Sequence, residues 1–340
     1  MWITSSPTTV LTPTAIALGN FDGIHRGHQK VVRPILDPVF DSDRVIVRSH
    51  LLTGQERSSA HIYPTVVTFK PHPQEFFSGQ KRQLLTPLPE KAQILERLGV
   101  EQLVLLPFDQ NLAALSPQEF VEHLLIDQLQ ATRISVGADF RFGHKRAGTV
   151  EDLKAIAQKF GCEVRITPLH RLETERISSS QIRQALINGD ISRANTLLGR
   201  SYSITGTVVT GQQLGRTIGF PTANLEVSDD KLLPRHGVYS VRVWTNNDTL
   251  PATSPQIGVM NLGCRPTVDN TPQTTLEIHL LDWSGDLYGQ TLTITLEQFL
   301  RPEQKFASLD ELKQQIAQDC LTTRQLVNYP TLPRREDGAS

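Results

Sequence analysis

The sequence predicts an α/β domain with a parallel sheet, followed by a small antiparallel β-barrel that ends in a helix. The length of 340 residues favours two domains, because soluble domains usually span roughly 100–200 residues. In the first half, short β-type segments alternate with helical periodicity, which is typical of a parallel sheet flanked by helices. From Tyr202 onward the chain reads as short strands rich in Val, Thr and Ile with turn residues between them, which favours a barrel.

The first half divides into strands and helices that can be placed from their periodicity. The predicted strands are 14–21, 64–69, 102–108, 133–140 and 162–169. The predicted helices are 89–99, 116–130, 149–161 and 178–199. Ser116, Pro117 and Glu119 supply an N-cap, a first-turn proline and a capping-box acid, so the helix over 116–130 is expected to begin there. Gly199 is suited to ending the last of these helices.

The second half is predicted to be mostly strands. They are expected at 202–209, 237–244, 256–263, 274–283 and 291–300, before a final helix over 308–326. We therefore place a boundary near 199–203, which gives domains of 1–199 and 200–328 and a frayed tail over 329–340. The polar stretches at about 41–63 and 245–256 are expected to be loops.

Composition and charge exclude several classes of function. The formal net charge of −1 provides no global positive field, which disfavours nucleic-acid binding. No apolar run approaches the ~20 residues of a membrane span, and the N-terminus lacks a signal-peptide pattern, so a cytoplasmic protein is expected. The three cysteines, Cys162, Cys264 and Cys320, are far apart and predict reduced thiols.

A glycine-rich segment, GNFDGIHRGH over 19–28, follows the first predicted strand and leads into a helix. Glycines there allow a tight turn and close approach of a ligand, and a helix N-terminus offers N–H donors to phosphate oxygens. His25 and His28 are expected on one side of the first helical turn, where they can stabilise charge on an α-phosphate. The expected ATP contacts in this segment are Gly19, Asn20, Phe21, Gly23, His25 and His28.

A second phosphate motif, SSSQIR over 178–183, stands at another predicted helix start. Its hydroxyls can cap the helix and bind phosphate, and Arg183 can make a forked contact with leaving pyrophosphate. We expect Ser178 and Ser180 to take part. The sequence has no Walker GxxxxGK[ST] motif, so a P-loop is not the predicted cradle.

The two motifs together are the signature of the nucleotidylyltransferase superfamily, and with 68–77 and 136–153 they resemble the adenylylating module of prokaryotic riboflavin kinase/FAD synthetases. The resemblance implies ATP contacts from His25 and His28. It further implies that Pro71, His72 and Asp139 shape the flavin side. His72 can equally stiffen its proline-rich loop, and Phe140 and Phe142 are expected in the core rather than against a flavin.

In the second half, GQQLGRTIGFPTANL over 211–225 combines glycines with the tetrad PTAN. Thr222 and Asn224 are two residues apart, so in extended chain both side chains point the same way and can bind Mg²⁺ or nucleotide phosphates. Gly215 belongs to the flexible glycine-rich flap expected over the triphosphate. A simple hairpin connection would explain the glycines but not the tetrad.

Glu277, in the predicted strand LEIHLLDW, is the candidate general base of this half. A strand glutamate is commonly just solvent-facing. However, 215–225, 261–267, 276–283 and FLRPEQKF resemble the riboflavin kinase pattern. That resemblance implies that Glu277 is the catalytic base and places Arg301 on the flavin side.

The resemblances cover about 14–325 and imply an enzyme that phosphorylates riboflavin to FMN and adenylylates FMN to FAD, with ATP and Mg²⁺. Two alternatives stay open at this point. One is a nucleotidylyltransferase or aminoacyl-tRNA synthetase acting on another acceptor, although no KMSKS-like loop is present. The other is a flavin-binding protein with only one active module, which the retention of Thr222, Asn224 and Glu277 disfavours.

Overall fold

The structure, a computed structural model, describes residues 1–36, 61–172, 175–211, 214–245, 255–266 and 272–326. Its contacts divide the chain into two compact units, Met1–Ser179 and Ser180–Ser340. The loop expected at 41–63, the loop expected at 245–256 and the tail at 329–340 fall wholly or mostly outside the described residues.

The first unit is built on a parallel sheet, as predicted, which has six strands where five were expected. The strands run in the order β1-β4-β3-β2-β5-β6. Their bounds are β1 Trp2–Thr4, β2 Thr14–Leu18, β3 Tyr63–Lys70, β4 Gln102–Pro107, β5 Ala131–Gly137 and β6 Glu163–Thr167. The edge strand β1 was not predicted, because its short sequence leaves Trp2 and Ile3 exposed and has no buried stripe to detect. The hairpin of β7 Arg171–Leu172 and β8 Glu175–Arg176 is equally short.

Helices cover both faces of this sheet, because its central strands are buried on both sides. They are α1 Arg26–Leu36, α2 Pro73–Ser78, α3 Leu88–Arg97, α4 Gln110–Ala114, α5 Pro117–Glu119 and α6 Val150–Gln158. Ser116 and Glu119 form the predicted capping box, and the chain continues from α5 as a π-helix over Phe120–Gln128. Phe142 packs in the core and Phe140 stacks on it, as expected.

The single helix predicted over 178–199 is wrong. Two helices are present, α7 Ser179–Asn188 and α8 Ile191–Leu198. Gly189, at a φ of 79°, turns the chain out of α7. Asp190 then caps α8 by accepting a hydrogen bond from the backbone N–H of Arg193 at 3.0 Å. Gly199 ends α8 in the left-handed conformation, as its position predicted.

The second unit contains a closed barrel of antiparallel strands in the order β10-β13-β12-β11-β14-β9. The strands are β9 Ser203–Val209, β10 Ala223–Val227, β11 Gly237–Thr245, β12 Gln256–Pro266, β13 Pro272–Leu280 and β14 Thr291–Arg301. The short helix α9 Leu214–Thr217 precedes β10, and α10 Leu309–Leu326 follows the barrel. The strand β10 was not predicted, because its five residues follow a glycine- and proline-rich segment.

Along each barrel strand, every second side chain fills the interior, and the side chains between them face outward. Met260, Leu262, Leu276 and Ile278 are buried inside, so their neighbours Asn261 and Glu277 face the opposite side of the same strands. The outward face of the β10-β13-β12 segment is therefore available to bind a ligand.

The contact-based division at Ser179 and Ser180 lies earlier than the predicted boundary near 199–203. It assigns α8 and nearly all of α7 to the second unit, which leaves the functional domain limits of 1–199 and 200–328 as predictions. Over the described residues, no helix is both long enough and apolar enough to cross a membrane. All three cysteines are free thiols.

Candidate functional site

The glycine-rich segment forms a loop at the carboxyl end of β2, where ligands bind in open α/β sheets. Three of its residues have positive φ angles, 47° at Phe21, 89° at Gly23 and 40° at Ile24. Phe21 and Ile24 nevertheless bury their side chains in the core between the sheet and α1. This burial stabilises a backbone conformation that non-glycine residues rarely adopt.

Side chains from β3 and α3 hold the start of this loop. The carbonyl oxygen of Asn20 accepts hydrogen bonds from Thr68 Oγ1 at 3.0 Å and from Lys91 Nζ at 3.1 Å. Thr68 is buried on β3 and Lys91 is buried on α3. A lysine so deeply buried is rare unless it is paired, and here its amine fixes the position of a loop carbonyl.

The turn before α3 holds the next part of the loop. The carboxylate of Asp22 accepts from the backbone N–H of Leu85 at 2.8 Å, and Thr86 Oγ1 accepts from the N–H of Gly23 at 2.9 Å. The carbonyl oxygen of Asp22 also accepts from Ser179 Oγ at 2.8 Å. The loop conformation is thus set before any ligand binds.

His25 and His28 stack face to face, with ring centroids 3.7 Å apart. This confirms the expectation that the two rings lie on one side of the first turn of α1. Nδ1 of His25 accepts a hydrogen bond from the backbone N–H of His28 at 3.3 Å. A Cβ at Gly27 would lie 3.1 Å from the ring of His25, so the absence of a side chain there makes room for the imidazole.

The pKa of His28 is held well below its usual value, because the ring is buried and because His25 and Lys91 lie nearby. Its Nδ1 is buried and has no hydrogen-bond partner among the described residues. Burial also lowers the pKa of Lys91, while the charge of Asp22 opposes that shift. His28 is therefore a neutral imidazole with an unsatisfied nitrogen at physiological pH.

The downstream motif lies at the start of α7. Ser178 is half-buried just before the helix, and Ser180 and Arg183 follow in its first turns. Ser179, which was not singled out as a contact residue, is the serine that hydrogen-bonds the glycine-rich loop. Since Ser180 and Arg183 belong to the second unit, their grouping with the two histidines stays a prediction.

The residues expected on the flavin side lie in loops at the carboxyl ends of β3 and β5. His72 follows Pro71 and caps α2, with Nδ1 accepting from the backbone N–H of Gln74 at 3.1 Å. Burial, together with the charge of Arg82, lowers its pKa. Asp139 forms an ion pair with Arg176. The structure therefore gives His72 a capping role, and contact with a flavin stays a prediction for all of these positions.

An aromatic cluster beside His72 was missed. Phe69, Phe76, Phe77 and Phe108 meet edge to face, with ring centroids 5.2–5.9 Å apart. Phe77 is 73% exposed, an unusual position for a large apolar ring. The adjacent phenylalanines of PHPQEFF were the available signal, but only the fold brings Phe108, directly after β4, against them.

The barrel places the predicted kinase residues side by side. Asn224 on β10 pairs directly with Glu277 on β13, and Glu277 pairs on its other side with Asn261 on β12. All three side chains are half-buried on the outward face. Directly opposed residues on antiparallel strands have Cβ atoms about 4.5–5.5 Å apart, which brings a carboxylate between two amides.

Two glycines pack tightly against the PTAN tetrad. A Cβ at Gly211 would lie 2.2 Å from Asn224 Nδ2, and one at Gly215 would lie 2.2 Å from the carbonyl oxygen of Phe220 and 3.3 Å from Thr222 Oγ1. Any side chain at either glycine would displace the tetrad. This close approach, rather than flexibility alone, explains why the segment contains glycines at these positions.

His279 was not predicted to take part, yet it anchors the tetrad. Its Nδ1–H donates to the carbonyl oxygen of Pro221 at 2.8 Å, and its ring meets that of Phe220 edge to face. Burial is the main cause of its lowered pKa. His279 lies two residues after Glu277 on the same face of β13, so this strand both carries the candidate base and positions PTAN.

Arg301 lies at the end of β14, where its guanidinium contacts both carboxylate oxygens of Asp319 at 2.8–3.1 Å. It also lies over the ring of Phe306. The charge of Arg301 is thus already paired with α10, and its predicted contact with a flavin stays untested.

Thr222 and Asn224 offer a hydroxyl and an amide oxygen in a glycine-lined cradle that a Cβ would fill. Among the described residues, no group of three or more His, Cys, Asp or Glu side chains could hold a metal ion. A small number of protein ligands is enough for Mg²⁺, because this ion usually keeps several waters and binds substrate phosphates. The residues present therefore fit a phosphate-bound Mg²⁺.

Comparison with family models matches each part of the chain separately. The model described as FAD synthetase matches residues 8–47 and 49–181, and the model described as riboflavin kinase matches residues 198–327. The crystal structure of a Streptococcus pneumoniae protein described as a macrolide-efflux protein aligns with a TM-score of 0.77 at 31% identity. That alignment covers 95% of this chain and 98% of the other.

Curated relatives match over nearly the whole length. A bifunctional riboflavin kinase/FMN adenylyltransferase from Escherichia coli K12 is 39% identical, with 91% of each chain covered. The relative of the same name from Haemophilus influenzae is 37% identical over 94% of this chain and 96% of its own. The Bacillus subtilis relative is 36% identical with 90% of each covered. The chain therefore belongs to the bifunctional riboflavin kinase/FMN adenylyltransferase family.

Proposed function

We propose that this enzyme phosphorylates riboflavin to FMN in its barrel and transfers AMP from ATP to FMN at the glycine-rich loop, which yields FAD. The observation that carries this proposal is the pair of separate sites. One is a stacked pair of a buried His25 and a half-buried His28 at a loop before a helix, and the other is a glutamate opposite the asparagine of PTAN on barrel strands. Each site provides the groups that its reaction requires.

In the adenylylation step, a phosphate oxygen of FMN attacks the α-phosphorus of ATP and pyrophosphate leaves. His25 is a hydrogen-bond donor here: because its Nδ1 accepts from a backbone N–H, its proton in the neutral form is on Nε2. His28 is neutral over the physiological range, because burial lowers its pKa. The two imidazoles are held in a fixed stack and can donate to α-phosphate oxygens without reorganisation, which favours the transition state.

In the kinase step, Glu277 accepts the proton of the ribityl 5′-hydroxyl as that oxygen attacks the γ-phosphorus of a second ATP, from which ADP leaves. Thr222 and Asn224 would hold a phosphate-bound Mg²⁺, and Gly211 and Gly215 leave the space for these residues that a side chain would fill. When bound, Mg²⁺ neutralises phosphate charge. Mg²⁺ and a cytoplasmic location are both parts of the proposal. The three free thiols support a reducing compartment.

The test uses the purified full chain with riboflavin, ATP and Mg²⁺, followed by chromatographic separation of flavins. We expect both FMN and FAD to form, and unchanged riboflavin would contradict the kinase assignment. Glu277→Ala should abolish FMN formation and leave conversion of supplied FMN to FAD intact. His28→Ala should do the reverse. If each substitution abolished both steps equally, the two-site proposal would be wrong.

A further inference from the structure

The tetrad PTAN lies partly outside the strand that carries it. β10 begins at Ala223, so pairing with β13 fixes Asn224, whereas Thr222 precedes the strand. Pro221 has no N–H, so its carbonyl oxygen is the one backbone group through which it can be hydrogen-bonded. That oxygen accepts from Nδ1–H of His279 at 2.8 Å. The position of Thr222 therefore depends on a side chain of β13.

His279 lies close to an ion pair that joins the barrel to α10. Both terminal nitrogens of the Arg324 guanidinium, in the last turn of α10, donate to the carboxylate of Asp282, one of them at 2.8 Å. These hydrogen bonds hold the pKa of Asp282 below its usual value. Burial is the main cause of the lowered pKa of His279, and the charges of Arg324 and Asp282 act on it in opposite directions. The ion pair is thus near enough to the imidazole to influence it.

Asp282 reaches α10 because of the turn that follows β13. Its φ angle is 53°, in the left-handed region, which aspartate tolerates better than most residues with a side chain. Leu281, directly before it, is buried, and its N–H donates to the carbonyl oxygen of Ile257 at 2.8 Å. These contacts fix the turn, so the forked ion pair ties α10 to the end of β13 in one geometry.

Apolar contacts connect α10 to the residue before the tetrad. Phe220 packs against a cluster between the barrel and α10, and Ile316 of α10 packs against the same cluster. The buried members of that cluster are Val238, Ile257, Val259, Leu281 and Cys320. The ring of Phe220 also meets that of His279 edge to face, with centroids 5.5 Å apart. α10 therefore supports Phe220 and Pro221 through one apolar and one polar set of contacts.

We propose that α10 is a positioning element of the kinase site. The Arg324–Asp282 ion pair holds the end of β13, which carries His279. His279 in turn fixes the carbonyl oxygen of Pro221, and with it the hydroxyl of Thr222. This inference rests on the proposed phosphorylation of riboflavin in the barrel. The three side chains act through the backbone, so their loss should affect the use of ATP, whose phosphate-bound Mg²⁺ Thr222 would hold, and should leave riboflavin binding as it is.

The first measurement is hydrogen exchange of the segment 214–222 in the full chain, without nucleotide or metal. His279→Phe keeps a ring against Phe220 but removes the donor, and it should speed exchange of the segment about tenfold. Arg324→Ala and Asp282→Asn should each speed it about threefold, because they act through His279. Asn is chosen at 282 because it also tolerates a positive φ. His279→Asn should restore most of the protection, since its amide nitrogen can replace Nδ1–H as the donor.

The second measurement is riboflavin phosphorylation by the same proteins, with ATP and riboflavin varied separately. His279→Phe should lower kcat/KM for ATP about tenfold and Arg324→Ala about threefold, while the KM for riboflavin stays unchanged. Combining Arg324→Ala with Asp282→Asn should lower it no further than either change alone, because the pair acts as a unit. Arg324→Lys, which keeps a cation, should recover part of the loss.

The matched control is Arg242→Ala on β11, which breaks an ion pair with Glu297 on the opposite side of the barrel from β10. It should change neither measurement. Exchange of β12 amides should stay slow in every variant, which shows that the barrel is folded. Should β12 lose protection in His279→Phe, the comparison passes to Arg324→Ala and Asp282→Asn.

If exchange of 214–222 in His279→Phe and Arg324→Ala equals that in Arg242→Ala, the positioning role is wrong while the proposed function stands. An equal rise of the KM values for ATP and riboflavin would also contradict the role, because it would show a general loss of structure in the site. If the unsubstituted protein makes no FMN, the proposed function fails, and the exchange result still decides whether α10 holds the segment.

Discussion

The two proposed phosphate sites of this chain are built in opposite ways. In the first unit, the glycine-rich loop is held from outside by buried side chains, including Thr68, Lys91 and the turn before α3. In the second unit, Asn224 and Glu277 are placed by strand register on the outer face of a barrel, and glycines supply the close approach. One site depends on tertiary hydrogen bonds to a strained loop. The other depends on the pairing of β10 with β13 and on the glycines at 211 and 215.

Because of this difference, replacing a glycine by alanine should affect the activity of the second unit more than that of the first. At Gly211 an added Cβ would lie 2.2 Å from Asn224 Nδ2, and at Gly215 it would lie 2.2 Å from the carbonyl oxygen of Phe220, directly before the tetrad. At Gly27 it meets the face of His25 at 3.1 Å, which a small rotation of the ring relieves. The barrel site should therefore be the less tolerant of added volume, and the loop site the less tolerant of lost charge.

The largest expected effect on activity comes from replacing one of these glycines by alanine. Gly211→Ala should lower riboflavin phosphorylation about 100-fold, because it displaces Asn224 and misplacement of about 1 Å can cost that much. Gly27→Ala should lower FMN adenylylation only a few-fold, since the ring can rotate. The control for Gly211→Ala is its rate of FAD formation from FMN, and the control for Gly27→Ala is its rate of FMN formation from riboflavin. Both controls should be unchanged. A larger loss in Gly27→Ala than in Gly211→Ala would reverse the comparison.

Loss of the buried amine should have the next largest effect. Lys91→Met keeps most of the packing but removes the donor to Asn20 and a positive charge near His28. We expect the kcat of adenylylation to fall about tenfold, on the order of 1.4 kcal/mol, with kinase activity unchanged. Without the charge of Lys91 the pKa of His28 rises, so the acid limb of the pH profile should move to higher pH.

The matched control is Arg97→Met, an exposed cation on the same helix. It should leave both the rate and the pH profile as they are. If Lys91→Met lowered the rate with no movement of the acid limb, Lys91 would act through its hydrogen bond to Asn20 and not through its charge on His28.

The smallest expected effect is on stability at low pH. The folded-state pKa of His28 lies below the unfolded value near 6.5, so its contribution is fully present above pH 6.5 and is lost as pH falls below it. Between pH 6.5 and 5.5 this amounts to at most about 1.4 kcal/mol. Hydrogen exchange of β2 amides should show that loss in the full chain and a smaller loss in His28→Gln. Equal pH dependence in both proteins would exclude His28 as the cause.

Much of this fold could be read from the sequence, because its elements carry their own local signals. The buried strands of the parallel sheet appear as apolar segments, and Ser116 and Glu119 mark a helix start that the structure reproduces. The elements that were missed are short: β1 and β10 have three and five residues and too little pattern to detect. The break at Gly189 was missed because the apolar periodicity continues across it from α7 to α8.

The candidate sites divide in the same way. Histidine spacing and the PTAN tetrad are local patterns, and the structure brings His25 onto His28 and Asn224 opposite Glu277. The roles of Lys91, Phe108 and His279 could not be predicted, because each contacts a residue that is distant in sequence. A lysine or histidine on an ordinary helix or strand carries no local sign that its amine or imidazole will meet a particular loop.

The sequence by itself determined the two fold classes, the order of the motifs and the chemistry of the groups within each motif, since these follow from residue type and short-range spacing. Only the tertiary structure decided which titratable groups are buried, as at His25 and Lys91, and which stay exposed, as at Arg97. The physical reason is that burial and pairing depend on contacts between segments far apart in the chain. Those contacts exist only once the sheet and the barrel have formed.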